Sequence, residues 1–528
     1  MTIENTKSSV EPRNHPRLVP SKRFTLALLV FFAFIVQYSQ RVNLPIAIVC
    51  MIEDPASGHN HSSTHSIIAL KNETLNIFLN SSTTRKSGCT STSEKKGGFF
   101  DEKRFHWTEL RQQFLLGAYW AGYIFTQVPG GWLATSIGAK WVYAGSLGTS
   151  SLATLAMIIM HKMASTHVTI AFMLRFITGL AHGVLFPATV ALWSLWAVPH
   201  ERSTLASIGF CGTHLGTSIT MLFGGLSCRY LSAGWMYVFI TSSILGFIWL
   251  ALWIRLTADS PNSHKSISDH ERDYIGSFTG HSGTKRAMSL ASIPWKNIIN
   301  SKPLNALMIT HIANLFGLFF FLTSLGKLLT QLLHIKAENT GYILSFGFFL
   351  TLLSSLLSGI ATDRFVRSKK VTLTNARKIS NGLTSFIPVI CMMLLYVCDE
   401  RRYGLGIFTI LIFLASSGLG YGSGYVVNFA DIVPAYSGVI FGIANTLASI
   451  AGLIGNLVAG AVIKKPVLEQ WRKLYVMFGI VYLIGGVVYI VYGSAVPRKW
   501  AKFQAVNNDA KLEENTKVEE APPTTAKI

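Results

Sequence analysis

The sequence predicts an all-α membrane protein: twelve transmembrane helices in two pseudo-symmetric six-helix bundles. Three observations carry this. Half of the 528 residues are hydrophobic and only 13% are charged, against about 25% charged in soluble domains. The apolar residues gather in runs long enough to cross a bilayer as helices. Connectors in the second half echo connectors in the first at similar offsets, 228 residues for Gly131–Lys140 against Gly359–Arg367.

The elements follow in chain order. Residues 1–23 form a polar, basic tail expected in the cytoplasm. The run 24–51 is too long for a signal-peptide core and has no small-residue cleavage site, so it reads as a first span that stays in the protein. Residues 52–112 form a long polar loop with acceptor sequons at Asn60, Asn72 and Asn80 and none elsewhere in the chain. Their confinement to one loop predicts a glycosylated lumenal or extracellular loop. Spans follow near 113–134, 141–160, 168–193, 204–227 and 235–255, closing an N-terminal bundle over 24–255. A polar linker, 256–302, carries Asp269-His-Glu-Arg-Asp273, which suggests a short surface helix. Spans near 303–325, 341–361, 378–397, 405–430, 438–462 and 474–493 make a C-terminal bundle over 303–497. The tail 498–528 is polar and is expected to be disordered cytoplasm.

The net charge of +21 is spread over loops and tails. No basic stripe interleaved with aromatics suggests a nucleic-acid groove, so no nucleic-acid partner is expected. With the long first loop set aside, the segments on the side of the termini hold more than twice the Lys and Arg of the opposite side. By the positive-inside rule this places both termini in the cytoplasm. The six cysteines show no C-x-x-C pair and no metal-ligand spacing. Cys89 is alone in its loop, so no disulfide framework is expected.

Charge inside the spans points to the substrate. Arg175 lies several residues inside span four, and His182 follows two turns later on the same face. Arg41 lies about ten residues from the outer end of span one and Arg175 about seven from that of span four, which at ~1.5 Å per residue are similar depths. A charge at the centre of a spanning helix costs roughly 2.5–3.5 kcal/mol even on a lenient scale. No Asp or Glu lies deep in any span to answer these cations. A substrate anion would answer them, held by the guanidinium fork. Arg175 and His182 are therefore expected to line one cavity, with His182 as a candidate for proton coupling. Tyr119 and Tyr123 on span two are further candidates for its lining. The alternating glycines 418, 420, 422 and 424 of span ten cannot share one helix face, and mark a segment that bends as the halves rock. No nucleophile–base pair appears in the spans, so an enzyme is not expected.

At this point the chain resembles the major facilitators, and within them the anion/cation symporters of solute carrier family 17, with their sialin-like and type I sodium–phosphate-like members. The resemblance covers about residues 24–500. It rests on Arg41-Val-Asn-Leu-Pro-Ile-Ala-Ile-Val49, Gly122-Tyr-Ile-Phe-Thr-Gln-Val-Pro-Gly-Gly131, Trp193-Ser-Leu-Trp-Ala-Val-Pro-His-Glu-Arg-Ser203 and Asn428-Phe-Ala-Asp-Ile-Val-Pro434. It implies the major facilitator fold and a secondary transporter of organic or inorganic anions, coupled to H⁺ or Na⁺ and needing no cofactor. It implies substrate binding by Arg41 and Arg175, with Asn43 in the first motif. The fourth-span acid of sialin-like members falls on His182 here, the seventh-span Arg of the family's vesicular glutamate transporters near Asn314, and the span-ten Asp on Asp431, a second coupling candidate; these departures argue against a vesicular glutamate transporter. The expected partners are a small anion and the lipid bilayer, and the expected state is a monomer. The membrane is the plasma membrane or that of a lysosome or vesicle. A passive anion channel or uniporter on the same fold is the alternative reading.

Overall fold

The structure, a computed structural model, describes residues 16–51, 107, 109–158, 168–231, 233–279, 293–333, 335, 337–398, 400–463 and 467–501. The sequons at Asn60, Asn72 and Asn80 lie outside the described residues, as do most of the first loop and of both tails.

Each expected span coincides with one helix or one pair of helices. The N-terminal bundle is α1 (Lys22–Met51), α2 (Glu109–Ser136), α3 (Ala139–Ala156), α4 (Val168–Gly183) with α5 (Leu185–Trp196), α6 (Arg202–Tyr230) and α7 (Gly234–Leu256). The linker holds α8 (Asp269–Thr279), the expected surface helix, and a short α9 (Trp295–Ile299). The C-terminal bundle is α10 (Lys302–Lys327), α11 (Ala337–Arg367), α12 (Leu373–Val397), α13 (Tyr403–Gly422) with α14 (Tyr425–Ile432), α15 (Ser437–Val462) and α16 (Leu468–Tyr492). Nine of these segments are long and apolar enough to cross a membrane by composition alone. The other three, α2, α3 and α6, carry more small and polar residues, and many of these are buried between helices, as with Ser146, Ser150 and Ser151 on α3. Large apolar side chains such as Phe125, Leu222, Phe349 and Leu457 face outward. Outside a membrane they would be a solubility liability; inside one they are the lipid-facing belt.

The two halves repeat one packing scheme. In the first, α1 packs on α6 and α7, α2 on α4, and α3 on α7. In the second, α10 packs on α15 and α16, α11 on α13, and α12 on α16. The halves meet along two seams, α2 with α15 and α6 with α11. Glycines make the first seam possible. A Cβ on Gly131 would collide with the Gly438 carbonyl, and one on Gly442 with that of Gln127.

The structure departs from the sequence reading at span four and at Cys228, and it breaks span ten where the alternating glycines mark a bend. Span four is not one helix but breaks at Val184. Pro187 weakens the helix there, since it has no N–H to give to the carbonyl four residues back, at Gly183. Span ten breaks at Ser423–Gly424, inside the run of alternating glycines. Cys228, near one end of α6, is disulfide-bonded, which corrects the expectation of no disulfide framework. Its partner is not among the residues with described side chains, and spacing along the chain carries no signal for a pairing that the fold brings together.

Candidate functional site

Between the bundles lies a narrow cavity lined by Tyr38 and Arg41 of α1, Tyr123 of α2, Phe186 of α5, His311, Leu315 and Phe319 of α10, Tyr421 of α13, Val426 of α14, and Phe441 and Asn445 of α15. Both halves contribute, so any relative rocking of the halves changes it.

Arg41 is the cation of this cavity. Its guanidinium carbon lies 4.4 Å from the centre of the Trp120 ring, 5.0 Å from Tyr38, 5.6 Å from Tyr123 and 5.7 Å from Tyr119. Four ring faces within 6 Å stabilise a desolvated cation through their quadrupoles, at ~0.5–2 kcal/mol each. Its Nη1 donates to the Tyr38 hydroxyl at 3.3 Å. Among the described residues no carboxylate forms an ion pair with Arg41. The aromatic cage holds the guanidinium in place and leaves its charge unanswered.

Arg175 sits behind the cavity rather than in it. Its Nη1 donates to the Gln40 carbonyl at 3.1 Å and its Nη2 to Asn43 Oδ1 at 2.6 Å, while Nε has no partner. His182 is fully buried: Tyr119 Oη meets its Nδ1 and Gln40 Oε1 its Nε2, both at 3.2 Å. Gln40 Nε2 is spent on Ser151 Oγ and the Ser242 carbonyl, so Oε1 can only accept, and His182 Nε2 carries the hydrogen. The expectation that Arg175 and His182 line the cavity is thus replaced by a second layer. Gln40 joins them, its carbonyl to Arg175 and its side chain to His182, and binds α1, α3, α4 and α7 into one block. The missed signal was Gln40 itself, one residue before Arg41 and so turned about 100° away from it.

Tyr123 lines the cavity; Tyr119 stacks on it at 6.0 Å and turns its hydroxyl to His182. Asn314 is brought elsewhere. Its Nδ2 donates to the Thr310 carbonyl and Ser385 Oγ, and it lines a separate small cavity inside the C-terminal bundle with Thr384, Ser417, Tyr425 and Tyr482.

Asp431 lies apart from the cavity too, in a charged latch between the halves. Its Oδ1 accepts from Arg202 at 2.7 Å and its Oδ2 from Arg377 at 2.8 Å, with all three side chains buried. Arg377 Nη1 also donates to Ser203 Oγ across the seam at 2.8 Å, and Asp363 Oδ2 accepts from the Thr204 N–H at 2.6 Å, at the first turn of α6. In this arrangement Asp431 braces one end of both seams. The same end holds the linker. Glu271 of α8 accepts from the backbone N–H groups of Lys22 and Arg23, both at 3.2 Å, and so caps α1. Arg23 bridges Glu271 at 3.0 Å to Glu201, and Arg367 of the other half approaches Glu201 at 3.5 Å. Burial pushes the Glu201 carboxyl above its ordinary range, with Arg23 and Arg367 pulling the other way. Burial likewise pushes Tyr274, which donates to Glu201, up to about 12.

The sequence and the fold have relatives. The sequence profile of the Major Facilitator Superfamily matches residues 26–455. The chain is 31% identical over 486 residues to sialin of Homo sapiens, covering 91% of each protein. The chain belongs to the major facilitator superfamily, in its solute carrier family 17 branch. It is also 27% identical over 483 residues to vesicular glutamate transporter 2 of Bos taurus, covering 91% of this chain and 75% of that one. Among solved structures, the proton:xylose symporter XylE bound to 6-bromo-6-deoxy-D-glucose superposes with a TM-score of 0.61 at 12% identity, over 90% of this chain and 97% of the other. Like its relatives this is a multi-pass membrane transporter and not an enzyme.

Proposed function

We propose that the chain is an anion transporter working by alternating access, with Arg41 as the anion's ligand, driven by an H⁺ or Na⁺ gradient. The observation that carries this is the Arg41 guanidinium: it faces a cavity shared by both bundles and no described carboxylate neutralises it. A buried cation without a partner is costly, and an entering carboxylate or phosphate removes that cost. The latch end, with the linker and both described chain ends, is the cytoplasmic side in this reading, and the latched arrangement is closed to the cytoplasm. Organic acids such as an acidic sugar or glutamate, and inorganic phosphate, are the substrate classes to try first.

The test is uptake of labelled sialate, glutamate and phosphate into proteoliposomes, at pH 5.5 and 7.4 outside, with and without sodium. Arg41→Gln is expected to lower uptake of the transported anion at least ~10-fold. Uptake of every transported anion at the wild-type rate in Arg41→Gln would remove Arg41 from the mechanism. Accumulation that collapses with an ionophore marks a coupled transporter. Equilibration without accumulation marks a passive one.

A further inference from the structure

His311 faces Arg41's cavity from the other bundle. It is 1% exposed and lines the cavity from α10. A chain of hydrogen bonds fixes which of its nitrogens carries the hydrogen. Gln127 Nε2 donates to Ser449 Oγ at 3.2 Å, and Gln127 Oε1 accepts from Asn445 Nδ2 at 2.5 Å. Asn445 Nδ2 also donates to Tyr123 Oη at 3.3 Å. That leaves Asn445 Oδ1 as the acceptor for His311 Nε2, at 3.2 Å. The neutral ring therefore holds its hydrogen on Nε2, and Nδ1 is the basic lone pair. Nδ1 is buried and meets no hydrogen-bond partner among the described residues. Rings of Tyr425, Phe441 and Phe429 stand edge-on around the imidazole at 5.0, 5.3 and 5.8 Å.

The charged and titratable groups around this cavity are Arg41 and Tyr38 from α1, Tyr123 from α2, Tyr421 from α13 and Tyr425 from α14. No described carboxylate is among them. With the cavity free of anion, a proton on His311 would put a second cation beside Arg41 in a dry space, which is unfavourable. An anion between them reverses the sign: it is attracted to Arg41, and it attracts a proton to the opposite wall.

We propose that His311 Nδ1 carries the coupling proton, and that the substrate anion, seated between Arg41 and His311, is what makes the proton bind. This rests on the reading of the chain as an anion transporter. The proton comes from water on the side open to the cavity and adds to the Nδ1 lone pair, giving an imidazolium. No bond in the substrate breaks. The new N–H donates to the anion, while Nε2–H keeps its bond to Asn445 and so to α2. When the halves rock and the anion leaves, the two cations face each other unscreened, and the proton returns to water on the far side. Coupling then needs no carboxylate in the membrane. His182 is poorly placed for this, because both of its ring nitrogens are already engaged.

The test uses the full chain in proteoliposomes, with pyranine trapped inside and sialate, glutamate and phosphate as probes. Two signals are read: exchange of labelled anion with the same pH on both sides, and acidification of the interior evoked by the anion. His311→Gln and His311→Asn remove a donor to the anion and so lower exchange as well, but each is expected to lose acidification at least ~10-fold more than it loses exchange. His214→Asn, which removes an imidazole that does not line the cavity, is expected to change neither. Acidification at the wild-type level in both His311 variants overturns the assignment. Uptake by the wild type driven by sodium, with no acidification, overturns proton carriage itself. No exchange of any of the three anions by the wild type overturns instead the reading beneath it. A measurement without variants stands behind these: the solubilised wild type is expected to take up about one proton per anion bound, and no uptake overturns the proposal.

Discussion

Arg41 and Arg175 solve one problem in two ways. Each is a guanidinium inside a membrane-spanning segment with no carboxylate partner among the described residues. Arg175 is held by neutral oxygens of α1 through both terminal nitrogens and is fixed there. Arg41 is held by ring faces, which stabilise charge without occupying the donors that an anion would use. The two should respond differently to small changes. Arg41→Lys keeps the charge but loses the planar fork and its stacking on Trp120, so KM is expected to rise ~10-fold while some transport remains. Unchanged KM would mean that the charge alone matters. Asn43→Ala strips Arg175 of its shortest bond and leaves a buried donor unmatched, at ~1–3 kcal/mol. The expected reading is a lower melting temperature of the solubilised protein, and an unchanged one would show that water or another oxygen replaces Asn43. The sequence revealed that these arginines were unusual. It did not reveal which of them faces the cavity, because that depends on whether Gln40 or Arg41 turns inward, a rotation of one residue on α1.

At the scale of helices, the sequence was legible where physics is local. Apolar runs gave the twelve spans, and the glycines of span ten marked the break at Ser423–Gly424. Pro187 carried an equally local signal for the break at Val184. What was not legible is capping across distance. Glu271 is hundreds of residues from Lys22 and Arg23, yet its carboxylate takes two N–H groups that the first turn of α1 cannot satisfy internally. Charge-assisted bonds of this kind contribute ~1.5–3 kcal/mol. Glu271→Gln is therefore expected to loosen α8 from the bundle while leaving α1 helical. Hydrogen exchange of the amides over Asp269–Thr279 should speed up ~10-fold or more, with those of α12 unaffected. Equal protection in the variant would mean that Tyr274 and Ile275, both buried, hold α8 without the carboxylate.

For the whole molecule, the question is what holds one end of the two bundles together and lets go. Along α2–α15 and α6–α11 the halves meet through apolar, glycine and neutral polar contacts, whereas the latch is charged. Asp431 holds one guanidinium from each half, Arg202 and Arg377, and all three are out of water only while the seam is shut. Neutralising the carboxylate leaves two buried cations facing each other. Removing one partner of a buried pair costs ~3–5 kcal/mol, and here the cost falls on the latched state alone, since opening hydrates both arginines. At ~1.4 kcal/mol per tenfold, Asp431→Asn is expected to shift the balance toward the open latch by about two orders of magnitude or more. Cys211 reports on this directly. It is a free thiol, 3% exposed, in the α6–α11 seam, where its Sγ reaches the Leu352 carbonyl. Its maleimide labelling, followed by mass spectrometry so that Cys391 and Cys398 are counted separately, should accelerate at least ~10-fold in Asp431→Asn. An unchanged rate would mean that the seam is held by its apolar and glycine contacts, and that the three charged residues fix the angle of α14 rather than the state of the transporter.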